Sequence, residues 1–174
     1  LAIGGNHFIP AARRNIDLTA IVINNSVYGM TGGQYSPTTP LGDLATTAPY
    51  GSIERSLSCC ELAKAAGAAF VARGTVYHAR ELDRLIRRGM RKEGFAVIEA
   101  VSYCHTTYGR LNHKGTAVDM MRALRDSSVT IQAYDKLTED QRPGKIVRGI
   151  LADRDYPEFT AEYAKIIERA QAAS

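Results

Sequence analysis

The residues best placed to do chemistry are Asn24 and Asn25, which directly follow the apolar, largely β-branched run Thr19-Ala20-Ile21-Val22-Ile23. Such a run suits a strand covered on both faces, the parallel-sheet arrangement. In open α/β sheets, ligands gather at the carboxyl ends of the strands. An asparagine side-chain oxygen there is a hard, neutral ligand suited to Mg²⁺, and a backbone carbonyl two residues later can curl round to the same ion. The following Tyr28-Gly29-Met30-Thr31-Gly32-Gly33-Gln34 supplies glycines that let backbone amides approach a phosphate closely, and Thr31 adds a hydroxyl. Spacing alone also allows a plainer reading, in which Asn-Asn starts a turn and the glycines only shape a loop.

Cysteine is the second reactive type. Its three copies, Cys59, Cys60 and Cys104, are odd in number and include an adjacent pair, which is no disulfide framework and points to a reducing, cytoplasmic compartment. Cys59 and Cys60 fall on a predicted helix beside Leu62 and Ala63 and read as small buried hydrophobes. Cys104 follows a strand. Taken alone it is either a structural thiol or one ligand of a metal centre whose other ligands lie elsewhere. His7 begins a helix and suits either a ligand contact or a capping and packing role, while His78 and His113 read as surface residues. No Ser/His/Asp arrangement for hydrolysis and no zinc-site spacing is visible.

The elements that must position these residues alternate. The pattern predicts a helix over 7–14 with Pro10 in its first turns, a strand over 19–23, and a long aperiodic stretch from Ser26 to about Leu57. A short helix over 58–66 follows, with Ser58 as N-cap and Glu61 three residues on. Then come a strand over 68–73, a helix over 79–90 with Leu82, Leu85 and Ile86 on one face, and a strand over 95–101. This order predicts an α/β sandwich. Beyond Cys104 the pattern predicts a helix over 115–124 with Val118, Met121 and Leu124 inward, a strand over 145–151, and a terminal helix over 157–172 whose apolar side holds Phe159, Tyr163, Ile166 and Ile167. With 174 residues, 45% hydrophobic and 23% charged, the chain is long enough to bury a real core and is neither disordered nor fibrous. The net charge of +4 is not concentrated, since Arg84, Arg87, Arg88, Arg91 and Lys92 share helical spacing on a solvated face. Nucleic-acid binding is therefore not expected. No apolar run reaches the length of a bilayer span, so no membrane association is expected either.

Three strings carry a family resemblance. Leu1-Ala2-Ile3-Gly4-Gly5-Asn6-His7-Phe8 is followed by Arg13-Arg14-Asn15-Ile16-Asp17, and then by the long run from Ile23-Asn24-Asn25 through Thr31-Gly32-Gly33-Gln34-Tyr35-Ser36-Pro37-Thr38-Thr39-Pro40. Together they resemble the β subunit of 2-oxoacid:ferredoxin oxidoreductases, most of all the 2-oxoglutarate group. The match continues through 59–73, through Ser102-Tyr103-Cys104-His105-Thr106-Thr107-Tyr108-Gly109-Arg110, and into 162–171.

The resemblance implies a thiamine-diphosphate binding fold, three-layered, with a mostly parallel sheet and helices on both faces. Residues 1–110 would form the C-terminal portion of that domain and 111–174 a helical extension packing on it. Asn25 would give Mg²⁺ its side-chain ligand and Val27 its carbonyl. Gly29, Thr31 and Gly33 would line the diphosphate, with His7 near the cofactor. The family's motif runs from Gly-Asp-Gly to Asn-Asn, and its first half is not in this sequence, so the fold is expected truncated at the N-terminus and this chain alone is expected to bind cofactor poorly. Cys104 matches the late cysteine of a [4Fe-4S] cluster whose three earlier partners are also missing here. The implied reaction converts a 2-oxoacid, coenzyme A and oxidised ferredoxin to acyl-CoA, CO₂ and reduced ferredoxin. An α subunit carrying the pyrimidine-binding domain would complete the site. A non-oxidative thiamine-dependent decarboxylase, or a non-catalytic assembly domain, remains the alternative.

Overall fold

The apolar runs become strands of one sheet. The computed structural model describes residues 2–173, so Leu1, the first residue of the Leu1–Phe8 match, lies outside the described residues. Strand β1 (Leu18–Asn24) is followed by a hairpin of β2 (Val27–Tyr28) and β3 (Gln34–Tyr35), then by β4 (Phe70–Thr75), β5 (Phe95–Val101), β6 (Ser128–Thr130) and β7 (Ile146–Asp153). The main sheet has five strands in the order β1-β5-β4-β7-β6. Strands β1, β5 and β4 run parallel, β7 is antiparallel to β4, and β6 is parallel to β7.

The period-2 alternation of β5 explains the layers. Phe95 and Val97 face α1 (Gly5–Arg14) and α2 (Cys59–Ala65), packing with Ala12, Cys60, Ala63 and Val71. Ala96 and Ile98 point the other way, packing with Phe70, Ala72 and Leu85 under α3 (Ala79–Met90). Helices therefore cover both faces, and the expected three-layer α/β architecture is present. Both limits of α2 follow from local chemistry. The Ser58 hydroxyl accepts the Glu61 amide at 3.3 Å and opens α2, and Gly67 (φ +90°) closes it.

Several expectations change. Strand β1 was expected to be covered on both faces; only the Ala20–Val22 face is packed on the core, the other leaves Ile21 and Ile23 exposed, and the strand lies at the sheet's edge. The described part of the sheet has no neighbour beyond it. Pro10 sits in the second turn of α1, within the expected first turns, where the helix forgoes one interior hydrogen bond. The helix expected at 115–124 is α4 (Ala117–Ser127), opened by a Thr116–Asp119 capping box. Its inward residues are Met120 and Leu124, Met120 packing with Tyr108; Val118 and Met121 are exposed. The segment after residue 110 also holds α5 (Ile131–Tyr134) and two strands, of which β7 pairs with β4 as a full sheet member. In α6 (Phe159–Ala172) the apolar side Phe159, Tyr163, Ile166 and Ile167 is exposed rather than packed. His78, expected at the surface, is half-buried, with its Nδ1 2.8 Å from the Thr75 hydroxyl.

One buried side chain ties the carboxyl end of α1 to the start of β5 and to the segment before α6. Asn15 ends α1 in the left-handed conformation (φ +52°). Its amide donates to the Tyr156 and Pro157 carbonyls at 3.0 and 3.2 Å, and its oxygen accepts the Phe95 amide at 2.9 Å. Asn15→Ala removes all three bonds, leaves buried backbone groups unpaired, and places a less tolerant residue at positive φ. We expect a loss of about 3 kcal/mol in urea unfolding.

Candidate functional site

Strand β1 delivers its last residue, Asn24, to the carboxyl edge of the sheet, on the face shared with Ala20 and Val22. The chain then turns sharply. Asn24 Oδ1 accepts the Ser26 amide at 3.1 Å, and Ser26 is held in the left-handed region at φ +63°. The Ser26 carbonyl in turn accepts the Thr39 hydroxyl at 2.6 Å, and Thr39 Oγ1 accepts the Ser36 amide at 2.9 Å. Both sides of the turn are thus fastened by buried polar bonds. Asn25 rides on its crest, half-buried, and no described residue hydrogen-bonds its side chain. It lines a small cleft of about 110 Å³ with Val22, Val27, Ser36 and Thr38.

Val27 enters the β2–β3 hairpin and is buried. The hairpin tip holds Gly29, Thr31 and Gly33. The Tyr28 carbonyl accepts the Gly33 amide at 2.8 Å, and the exposed Thr31 hydroxyl bonds the Gln34 side chain. Two glycines are required by close approach. At Gly33 (φ +83°) a Cβ would lie 2.0 Å from the Thr107 methyl. At Gly29 a Cβ would lie 3.1 Å from Cys104 Sγ. The hairpin is therefore pressed directly against the segment that carries Cys104.

That segment is a five-residue π-turn, His105–Gly109. Its Tyr108 is buried, stacks on Tyr103 with ring centroids 5.8 Å apart, and donates to Asp43. Burial, then the Asp43 carboxylate, push the Tyr108 phenol well above its ordinary value, so it stays a donor. Asn112 closes the strap, accepting the Leu44 amide at 2.7 Å and donating to the Leu44 carbonyl at 2.9 Å. Cys104 is half-buried. Burial pushes its thiol up, but the Thr106 hydroxyl and the Thr107 and Tyr108 amides outweigh this and hold it below the usual thiol value. Burial pushes Cys59 up to about 11 and Cys60 higher still.

The structure thus brings Asn25, Val27, Gly29, Thr31, Gly33 and Cys104 to one edge of the sheet. His7 stands apart, exposed on α1, and is not among the residues of the Asn25 cleft. The residues that sequence reasoning missed lie just beneath. Glu99 of β5 is 3% exposed, although it sits in an otherwise apolar strand. Its Oε2 accepts Arg73 Nε at 2.6 Å and the Cys60 thiol at 3.2 Å; its Oε1 accepts Asn24 Nδ2 at 2.8 Å. Arg73 is held further by the Ser58 hydroxyl and the Val147 carbonyl. Asn24, Ser58, Arg73 and Glu99 line a cleft of about 350 Å³ that also meets Ser26, Tyr103, Tyr108 and Lys145. The available signal was a lone carboxylate and a lone guanidinium, each inside a β run, where an unpaired charge is too costly to bury.

A half-buried amide with no hydrogen bond among the described residues, a nearby backbone carbonyl and a glycine-rich hairpin tip suit Mg²⁺ and a diphosphate. An iron–sulfur cluster is different. It needs about four thiolates, and among the described residues no three His, Cys, Asp or Glu side chains gather into a metal-holding group. Cys59 and Cys60 are buried on α2. The residues present offer a cluster one ligand, Cys104.

Residues 1–100 match the family model described as thiamine pyrophosphate enzyme, C-terminal TPP binding domain, and the chain belongs to that family. Among its relatives, the chain is similar to the 2-oxoglutarate synthase subunit KorB of Methanocaldococcus jannaschii, 53% identical over 97% of this chain and 62% of the relative. The subunit of the same description from Methanothermobacter marburgensis is 47% identical over 96% of this chain and 59% of the relative. Among solved structures, the 2-oxoglutarate:ferredoxin oxidoreductase from Magnetococcus marinus, with 2-oxoglutarate, coenzyme A and succinyl-CoA bound, superposes with a TM-score of 0.81 at 31% identity. That match covers 98% of this chain and 58% of the other. The chain therefore spans less than two thirds of the length of these relatives.

Two measurements check this geometry. Gly33→Ala adds a methyl into Thr107 at a positive φ, and should cost about 3 kcal/mol in denaturant unfolding; Thr107→Ala in the same chain should recover part of the loss. In the native protein near about pH 8, iodoacetamide should label Cys104 well before Cys59 or Cys60, because a lowered pKa leaves more thiolate and burial leaves almost none. Peptide mass spectrometry after timed labelling reads the order directly.

Proposed function

We propose that this chain is part of the β subunit of a 2-oxoacid:ferredoxin oxidoreductase, with 2-oxoglutarate as the substrate, and that its Asn25 turn holds Mg²⁺ and the diphosphate of thiamine diphosphate. The observation that carries the proposal is the Asn25 side chain, half-buried and without a hydrogen-bond partner among the described residues, beside the left-handed Ser26 at the carboxyl end of a parallel strand. Similarity to 2-oxoglutarate synthase subunits along nearly the whole chain supports the substrate class. In this reading residues 1–110 form the C-terminal portion of the cofactor domain, and 111–174 form the extension packed against it.

Thiamine diphosphate, when bound, supplies the nucleophilic carbon and the electron sink for decarboxylation. The residues of this chain bind and orient. Asn25 and the Val27 carbonyl offer neutral oxygens to Mg²⁺, so the ion keeps its charge for the diphosphate. Gly29, Gly32 and Gly33 of the hairpin tip let backbone amides approach the diphosphate oxygens, with the Thr31 hydroxyl between them. The exposed apolar and aromatic residues of the long loop, Leu41, Tyr50 and Ile53, suit a surface that an α subunit covers to exclude water. Cys104 would contribute one thiolate to a [4Fe-4S] cluster completed by cysteines outside this chain. Ferredoxin and coenzyme A are the remaining partners. Three free cysteines accord with a cytoplasmic setting, and among the described residues no helix is long and apolar enough to cross a membrane.

The test is made on the complete enzyme with its partner subunits. It should reduce a viologen with 2-oxoglutarate in a coenzyme A-dependent way. Asn25→Ala should weaken Mg²⁺-dependent thiamine diphosphate binding at least about tenfold by calorimetry, the scale on which even outer metal contacts matter. Decarboxylation without viologen reduction would indicate a non-oxidative enzyme. No cofactor binding in the wild-type complex would leave an assembly domain.

A further inference from the structure

Asn24 is not a free hydrogen-bonding group, and which way its amide faces decides the shape of the turn. A side-chain amide has one donor end and one acceptor end. Glu99, as a carboxylate, only accepts, so it takes the amino end of Asn24 at 2.8 Å. The oxygen end is thereby directed at the Ser26 amide, 3.1 Å away. That bond holds Ser26 at φ +63°, a conformation uncommon for a residue with a Cβ. The left-handed residue in turn sets where the chain places Asn25 before it and Val27 after it.

Glu99 itself has no freedom to choose another partner. Arg73 Nε occupies its other oxygen at 2.6 Å, together with the Cys60 thiol at 3.2 Å. Arg73 is pinned by Ser58 and Val147. The carboxylate is thus fixed from β1, β4 and α2 at once, and its orientation is passed through a single amide to the turn.

We infer that Glu99 is a positioning residue for the Mg²⁺–diphosphate turn, acting through Asn24, with Arg73 as the group that holds the carboxylate in register. This rests on the reading that Asn25 binds Mg²⁺. Glu99 touches neither ion nor cofactor; it sets the amide polarity that the turn requires. A glutamine at 99 offers one acceptor oxygen where Asn24 and Arg73 both need one, so one of the two bonds must be lost. An alanine at 24 cuts the link and leaves the Glu99–Arg73 pair in place.

The experiment uses the complete enzyme, titrated with Mg²⁺ at saturating thiamine diphosphate and followed by calorimetry, alongside the melting temperature of the cofactor-free complex. Glu99→Gln and Asn24→Ala should each raise the Mg²⁺ concentration for half-saturation by about 10- to 100-fold, the range seen for outer groups that orient metal ligands. Excess Mg²⁺ should restore full cofactor binding. A structural role alone would lower the melting temperature and leave the Mg²⁺ half-saturation unchanged in the folded complex, which would overturn the inference. Should Glu99→Gln prevent folding, Asn24→Ala decides, since it leaves the ion pair intact. Asn25→Ala separates the two readings. If it leaves Mg²⁺ affinity unchanged, the metal assignment itself fails. If it weakens affinity while Asn24→Ala does not, the assignment stands and the positioning role fails.

Discussion

The buried pair between Arg73 and Glu99 is the constraint around which the rest is arranged. The two residues are register partners on adjacent parallel strands, β4 and β5, and Val22 of β1 is the register partner of Glu99 on the other side. Their side chains are 17% and 4% exposed. Taking two charges out of water costs several kcal/mol per ion, so such a pair is poor evidence for stability in itself. What it supplies is exclusivity. Removing one partner strands the other at a cost of about 3–5 kcal/mol. A one-residue slip of either strand would turn one charge toward the apolar Phe70–Ile98 cluster under α3. The pair therefore admits one alignment of the strands, and that alignment puts Asn24 within reach of Glu99.

From that fixed edge the irregular part of the chain is built by short polar bonds around a small apolar cluster, in which Val27 and Ala45 pack with Tyr108 and Met120. Residues 26–57 contain only the β2–β3 hairpin as regular structure. Their order comes from Ser26 to Thr39, from Asn112 to Leu44, and from Tyr108 to Asp43. Each bond satisfies a backbone or side-chain group that would otherwise be buried unpaired. A loop held this way can expose Met30, Leu41, Tyr50 and Ile53 on its outer side without collapsing inward.

Legibility in the sequence follows the same division. The central strands and α3 announced themselves, because Phe95–Val101 and Ala79–Met90 have clean periods and end at turn residues. The chemistry of the Asn24–Gly33 run was visible as residue types, and Cys104 as a thiol after a strand. What periodicity does not encode is neighbourhood. The run Thr19–Ile23 looks like an interior strand, and within the described chain it is an edge. The inward face of α4 is set by what it packs on, the Val27–Ala45–Tyr108 cluster that takes Met120, and not by the apolar count along the helix. Glu99 and Arg73 were passed over because each meets its partner only across a parallel pairing, about 26 residues away, a distance at which no local pattern operates.

The contacts at Gly29 and Gly33 show how the two candidate cofactor regions are coupled. Cys104 Sγ and the Thr107 methyl occupy the space that side chains at 29 and 33 would need. The hairpin tip and the segment after β5 are therefore in direct contact, the glycine backbone of one seated against the Cys104 and Thr107 side chains of the other. Tyr108, at the end of the same π-turn, is anchored through Asp43, and Asn112 through Leu44. A displacement of the Cys104 segment would have to break these bonds or carry the loop along with it. The Asn25 turn is held from below by Glu99 and from the side by this strap. Its geometry is thus set by the protein before any ligand arrives, the condition under which a metal–diphosphate site loses least free energy to ordering on binding.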